Sequence, residues 1–140
     1  MDFEKIERIL QSCLQEETEQ FAYPTAEDWE SLEKKLNCRF CAEFISFINL
    51  MSKYKFPGDI YNVKNDHNGN DMILDVYQYE CQYPEWDENM VPFYGIGNGD
   101  YFCIHKVNNK VYYFYADSLE FELYMDTFSE WILNLPDFLE

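Results

Sequence analysis

The hydrophobic pattern of this chain changes period along its length, and that change limits the folds open to it. Before about residue 52, apolar residues recur at three- and four-residue steps, as on the buried face of a helix. Later segments alternate as strands do, until helical spacing returns between Thr127 and Leu135. Strands without intervening helices cannot form the crossovers of a parallel sheet. This order predicts an α+β fold, with a largely antiparallel sheet of about six strands and helices packed on one face.

Three helices are predicted before the strands and one after them. The second is expected to begin at Thr25, because Thr25 and Asp28 have the spacing of a capping box. The third runs from about residue 42 to residue 52. Thr127 and Glu130 repeat the capping-box spacing before the last helix, which we expect Pro136 to stop.

The strands are predicted from short apolar and aromatic segments, of which residues 119–123 alternate with acids, and from the turn residues between them. Asn68-Gly69 suits a tight hairpin because both residues tolerate positive φ, and Asn108-Asn109 marks a second hairpin. The glycine-rich segment 95–99 is predicted to be a turn. The predicted strands cover residues 59–63, 72–77, 90–94, 101–105, 111–115 and 119–123.

The chain is strongly acidic, with a net charge of −17, and no Lys or Arg follows Lys110. Such a field repels nucleic acid and anionic membranes, and it attracts basic partners. Acidity also keeps an aromatic-rich domain soluble without any role in recognition. Both interpretations stay open on composition alone.

Hydrophobic residues make up 47% of the 140 residues, which is enough for one well-formed core. We therefore expect a single domain over residues 1–140, in which residues 1–23 carry an N-terminal helix. The five cysteines are an odd number, the charged start does not resemble a signal peptide, and no apolar run could span a membrane. These features predict free thiols, a cytoplasmic location and a monomer or weak dimer.

Three motifs suggest ligand chemistry, but their context does not support it. The glycines of segment 95–99 precede Asp100 and an aromatic strand, where a phosphate loop needs a helix and a basic residue. Cys38-x-x-Cys41 lacks a second ligand pair for zinc. Acidic and amide residues in segment 66–71 lack the order of a calcium loop. We expect no metal and no cofactor.

Two further groups of residues are considered as possible active sites. Cys103 and His105 share a strand face and could form a nucleophile and base, although such a His is more often a half-exposed residue at a sheet edge. The acids around Trp86 are too close together to oppose one another across a substrate. Trp86 itself is either an interface anchor with a charged surround or a core residue, and both interpretations stay open.

Parts of the sequence resemble the SUKH superfamily, also called the SMI1/KNR4-like fold. The first runs from Pro24 to Asn37 and includes the capped helix, Pro24-Thr-Ala-Glu-Asp-Trp-Glu-Ser-Leu. The second is Val91-Pro-Phe-Tyr-Gly-Ile-Gly-Asn-Gly-Asp-Tyr-Phe, a proline-phenylalanine strand with a glycine–aspartate turn. Ser129-Glu-Trp-Ile resembles the last helix of the family. The resemblance spans most of residues 24–135 and departs from the family at Phe40-Cys41 and after the third helix.

The resemblance implies a non-enzymatic immunity protein that binds and neutralises a bacterial toxin, often a nuclease. The expected partner is a cognate toxin with a basic surface, bound without direct contact to nucleic acid or membrane. An alternative of the same fold is a regulatory adaptor that scaffolds cellular proteins. The predicted partner-binding residues are Glu85, Trp86, Asp87, Glu88, Asp100 and Tyr101.

Overall fold

A computed structural model describes residues 1–64 and 71–140, and these residues form an antiparallel sheet with helices before, within and after it. No helix in the described ranges is both long enough and apolar enough to cross a bilayer. The elements are α1 (Phe3–Cys13), α2 (Ala26–Leu36), α3 (Ala42–Leu50), β1 (Asp59–Ile60), α4 (Ile73–Glu80), β2 (Met90–Gly95), β3 (Tyr101–His105), β4 (Val111–Tyr115), β5 (Glu120–Met125) and α5 (Phe128–Phe138).

The sheet is a simple meander in the order β1-β2-β3-β4-β5, and every neighbouring pair is antiparallel. Phe102 of β3 lies opposite Tyr113 of β4, and Tyr101 lies opposite Phe114. Because side chains alternate along a strand, these two pairs lie on opposite faces of the sheet. The α+β fold with an antiparallel sheet is confirmed.

The larger core lies on the face that carries Phe102, where α1, α3 and α5 pack together and α5 contacts the sheet. Phe93 of β2 is fully buried at its centre. Its ring centroid lies 5.5 Å from that of Phe44 in α3, and 5.4 Å and 5.1 Å from those of Phe128 and Trp131 in α5. Aromatic pairs at these separations and angles add attraction beyond the area they bury.

The opposite face of the sheet carries a smaller core around Trp86. Cys103 of β3 and Phe114 of β4 pack there against Trp86 and Met90. The segment that follows α4 supplies Trp86, so residues 81–89 form a partial second layer over this face. The sheet is therefore covered on both sides in its centre, which explains why β2 is buried along its whole length.

One predicted strand, residues 72–77, is wrong: the segment belongs to helix α4. Ile73 and Val76 are both buried while Asp75 is exposed, and a step of three residues places two side chains on one face of a helix. In a strand they would point to opposite faces. Val76 N–H donates to the carbonyl of Met72, as in a helix. Short apolar runs fit either the helical or the strand period, so the sequence of this segment was ambiguous.

The predicted Asn68-Gly69 turn lies outside the described residues.

The predicted capping box of α2 is complete, whereas at α5 only the half in which Thr127 Oγ1 accepts from Glu130 N–H, at 3.1 Å, is present. Thr25 Oγ1 accepts from Asp28 N–H at 3.2 Å, and Asp28 Oδ2 accepts from Thr25 N–H at 2.8 Å. Helix α5 does not stop at Pro136 but continues to Phe138. The ring of Phe138 packs 5.2 Å from that of Phe102, and this contact holds the last turn although proline removes one hydrogen bond.

Replacing Phe93 by Ala should lower the free energy of unfolding by about 3–5 kcal/mol, because a fully buried ring is lost and a cavity remains. Leu133→Ala is the control, since this side chain is 53% exposed on α5 and should change stability by less than about 0.5 kcal/mol. Urea unfolding followed by circular dichroism measures both. Equal effects of the two substitutions would contradict the described core.

Acid should weaken the contact that ties α1 to the residues after α3. Glu7 Oε2 accepts from Lys53 Nζ at 2.7 Å and from Tyr54 Oη at 3.0 Å. The Lys53 hydrogen bond lowers the pKa of Glu7 below its ordinary value of 4.5. A lowered carboxyl pKa contributes stability above the ordinary value, and that stability is lost as the pH falls through the lowered pKa.

Glu7→Gln removes this titration, so the variant should lose less stability than the unsubstituted protein between pH 7 and the acid side of 4.5. Urea midpoints at matched pH values measure the difference. If the two proteins lost stability in parallel, Glu7 would not be part of the acid response.

Candidate functional site

A groove of about 530 Å³ opens on the face of the sheet that carries Trp86. The end of α4 and the turn after it form one side, and the strand ends and turns of β3 to β5 form the other. Ten residues line it: Tyr79, Glu80, Tyr83, Glu85, Trp86, Gly99, Tyr101, Phe114, Ala116 and Leu119. Five of these are aromatic, two are acidic and none is basic.

Trp86 is both a core residue and part of the groove. Only 7% of its surface is exposed, and its Nε1–H donates to the carbonyl of Met90 at 3.1 Å. Its ring lies 4.9 Å from that of Phe114 and 5.0 Å from that of Phe121. The ring is therefore fixed in place, and it can offer a rigid surface without losing conformational freedom on binding.

Tyr79 and Tyr83 form the most exposed aromatic part of the groove, at 54% and 46%. Their rings are 5.6 Å apart at 72°, and their hydroxyl groups lie 3.0 Å from each other, within hydrogen-bond distance. Leu119 is 48% exposed and has a positive φ of 59°. The sequence prediction missed all three residues. Helical spacing across residues 73–83 would have placed the two tyrosines on one side.

Glu80 is a half-buried carboxylate in the groove, and the sequence prediction missed it too. Its Oε2 accepts a hydrogen bond from the hydroxyl of Tyr101. Burial raises the pKa of Tyr101, and the neighbouring Glu80 raises it further. The hydroxyl therefore stays protonated and acts as a donor that fixes one oxygen of Glu80.

The predicted acidic residues occupy two different settings. Glu85, Asp87 and Glu88, here called the acidic segment, have exposed side chains, and Glu85 lines the groove. Asp87 Oδ1 also accepts from Asn89 N–H at 2.9 Å, which shapes the turn before β2. Asp100 is half-buried, and its two oxygens each accept at 2.8 Å, from the hydroxyl of Tyr113 and from Ala116 N–H.

The structure thus brings Glu85, Trp86 and Tyr101 together in the groove, and it places Asp87 and Glu88 beside them in the same turn region. The carboxylate of Asp100 instead holds the turn before β3 against the end of β4. Both of its oxygens already accept within the fold, so less of its hydrogen-bonding capacity is left for a partner than in Glu85. These six residues remain a prediction of the binding surface.

The segment 95–99 is a turn, as predicted. Ile96 N–H donates to the carbonyl of Asp100 at 3.1 Å, and Gly97 and Gly99 have φ of 107° and 95°. A side chain at Gly99 would approach the Cβ of Ala116 to 3.0 Å, so glycine also allows close approach there. The turn precedes a strand and not a helix, so it lacks the helix N-terminus of a phosphate loop.

Cys38 and Cys41 lie half-buried between α2 and α3. Burial raises the pKa of Cys38 to about 11, which makes the metal-binding thiolate scarce at neutral pH. Among residues 1–64 and 71–140, His, Cys, Asp and Glu side chains do not gather into a group of three that could hold a metal ion. Most of the calcium-like segment lies outside the described residues.

The geometry around Cys103 and His105 disfavours a nucleophile and base. Cys103 is fully buried, and burial raises its pKa well above the ordinary value, with Glu80 adding to the effect. His105 Nδ1 accepts from Val107 N–H at 3.1 Å. That nitrogen is occupied within the fold, and the thiol is held protonated away from solvent.

Cys103 should resist alkylation by iodoacetamide in the native protein at pH 8, because its thiol is both buried and protonated. Cys81, half-buried beside the same core, is the internal reference and should react faster. Peptide mass spectrometry after timed alkylation measures both, and unfolding in urea should equalise them. Rapid native labelling of Cys103 would reopen the active-site interpretation.

Comparison with known proteins connects this geometry to a family. A SUKH family model, described as SMI1-KNR4 cell-wall, matches residues 4–137. The match includes α1, which precedes the stretch of sequence resemblance, and it runs into α5. No curated protein matches the chain significantly. A match over nearly the whole length agrees with the α+β fold and the antiparallel meander, and the chain therefore belongs to the SMI1-KNR4 family of the SUKH superfamily.

Proposed function

We propose that this protein is an immunity protein that binds and neutralises a cognate bacterial toxin with the surface around the groove. Membership of the SMI1-KNR4 family fits an immunity role in general. The mechanism is stoichiometric binding, in which the bound protein covers a functional surface of the toxin. No covalent step is required.

The main support for this proposal is the composition of the groove. Five aromatic side chains and two carboxylates line it, and no Lys or Arg does. The exposed tyrosines supply apolar contact area of the kind that dominates binding energy at protein interfaces, and the rigidly packed Trp86 supports them. The acidic segment beside them supplies the charge that selects a basic partner.

Charge complementarity favours a toxin that itself binds nucleic acid. Nucleases bind phosphates through Lys and Arg, and Asp and Glu side chains can take the place of those phosphates. The acidic surface also extends past the groove, since no cation follows Lys110 in the sequence. A toxin bound in this way would have its substrate-binding site blocked.

The first test is co-expression of the protein with the product of the neighbouring gene. Growth should be rescued, and the two proteins should copurify in a fixed ratio. The binding constant should fall steeply as salt rises, because exposed opposite charges are screened. Rescue without copurification, or affinity that does not change with salt, would count against the proposal. Copurification without rescue would favour the regulatory adaptor.

Replacing Glu85 and Glu88 together by Gln should slow association with the toxin by about fivefold or more at low salt, since charges beside an interface mainly affect the association rate. Asp87 is left intact because it shapes the local turn. Surface plasmon resonance measures the rates.

The control is the double variant Glu19→Gln, Glu30→Gln, which changes the net charge equally at exposed positions that do not line the groove. It should slow association much less. Equal slowing by both variants would mean that net charge alone attracts the partner, and that the acids beside the groove have no specific effect on association.

A further inference from the structure

We infer that the groove binds an arginine side chain of the partner, with its guanidinium group against the exposed rings of Tyr79 and Tyr83 and beside Glu80 and Glu85. This inference rests on the proposed function and adds the chemistry of the partner at the centre of contact. The occupant is a single guanidinium group on a protein surface.

The aromatic rings provide faces suited to a cation. The rings of Tyr79 and Tyr83 meet at 72° and line the groove together, while the packed ring of Trp86 lies beneath them. Tyr79 and Tyr83 are 54% and 46% exposed, so a large part of each ring is open to an occupant of the groove. A cation is attracted to the face of an aromatic ring, and Arg does this most often.

The two carboxylates supply negative charge at the aromatic surface. Glu80 Oε2 is held by the hydroxyl of Tyr101, while its Oε1 accepts no hydrogen bond from the described residues. Glu85 lies at the exposed side of the groove. A neutral or apolar occupant would cover the half-buried Glu80 without pairing it, and burying an unpaired charge is unfavourable. A cationic occupant avoids that cost.

Arginine fits these groups better than lysine. Its guanidinium group is planar, stacks on aromatic rings and donates in a fork that matches a carboxylate, whereas the lysine ammonium is compact and strongly hydrated. The volume of about 530 Å³ lies within the usual range for small-ligand sites, and it leaves room for the backbone that carries the side chain.

The test uses the whole protein and a small probe, N-acetyl-arginine amide. Its matched control is N-acetyl-citrulline amide, which has nearly the same size and shape but no charge. NMR titration should show chemical shift changes at the indole N–H of Trp86 and at backbone amides around Tyr83 and Gly99. The arginine probe should bind about tenfold more tightly than the citrulline probe, because charge-assisted bonds are stronger than neutral ones.

Two variants test the assigned groups separately. Glu80→Gln should weaken binding of the arginine probe by about fivefold or more, since it removes the inner charge. Tyr83→Leu keeps an exposed apolar side chain and should also weaken it, because the ring face is lost. Glu30→Gln, on α2, should have no effect. Circular dichroism and the unfolding midpoint show whether each variant keeps its fold.

Three outcomes would overturn the inference: equal binding of the arginine and citrulline probes, tighter binding of N-acetyl-leucine amide, or no shift at the groove up to the solubility of the arginine probe. Retained toxin affinity in both variants would also overturn it, while leaving the immunity role intact. Probe binding with no toxin bound would instead reject the immunity role and leave the arginine site standing.

Discussion

The rest of the structure depends on β3 being buried on both of its faces. Phe102 is fully buried against α5, where its ring lies 5.5 Å from that of Trp131. The next residue, Cys103, is equally buried on the opposite face, in the core that Trp86 completes. Each face therefore needs its own cover, and residues 81–89 cover only part of the second. The groove lies where that cover ends and the sheet continues.

This arrangement explains why apolar side chains remain accessible at the groove. Beyond the edge of the partial layer, side chains of the same strand faces remain accessible, among them Leu123, which is 45% exposed on β5. Apolar groups there are not needed for the larger core, and their exposure costs solubility. The high acidity of the chain offsets this cost, so solubility and the proposed attraction of a basic partner would have the same source.

The sequence was sufficient to predict the architecture because most helical and strand segments carry a clear hydrophobic pattern. The capped start of α2 and the short apolar and aromatic runs between turn residues from residue 90 to residue 125 each favour one structure. Residues 72–77 were ambiguous, because six residues rich in Ile, Leu and Val fit both periods until the following residues are considered. The prediction that α5 stops at Pro136 was wrong for a different reason: the contact of Phe138 with the distant Phe102 stabilises a turn that proline weakens.

The candidate site was only partly predictable. Glu85, Trp86 and Tyr101 were identified from residue type alone, as acids beside aromatic anchors. Tyr79 and Glu80 lie in the groove because α4 is helical, so the wrong strand prediction gave no reason to expect them there. The internal role of Asp100 depends on the partner strand, because Tyr113 and Ala116 lie far from it in sequence. Such pairings follow from register, which a single sequence does not give.

At position 119, backbone stability and the chemistry of the groove favour different residues. A left-handed backbone at a residue other than glycine costs about 1–2 kcal/mol, and Gly or Asn would relieve most of it. Leucine instead places an apolar side chain at the groove. A relative that abandons the partner would be free to gain stability at this position. Under the proposed function, the identity of this one residue in diverging family members would therefore record whether the groove still binds a partner.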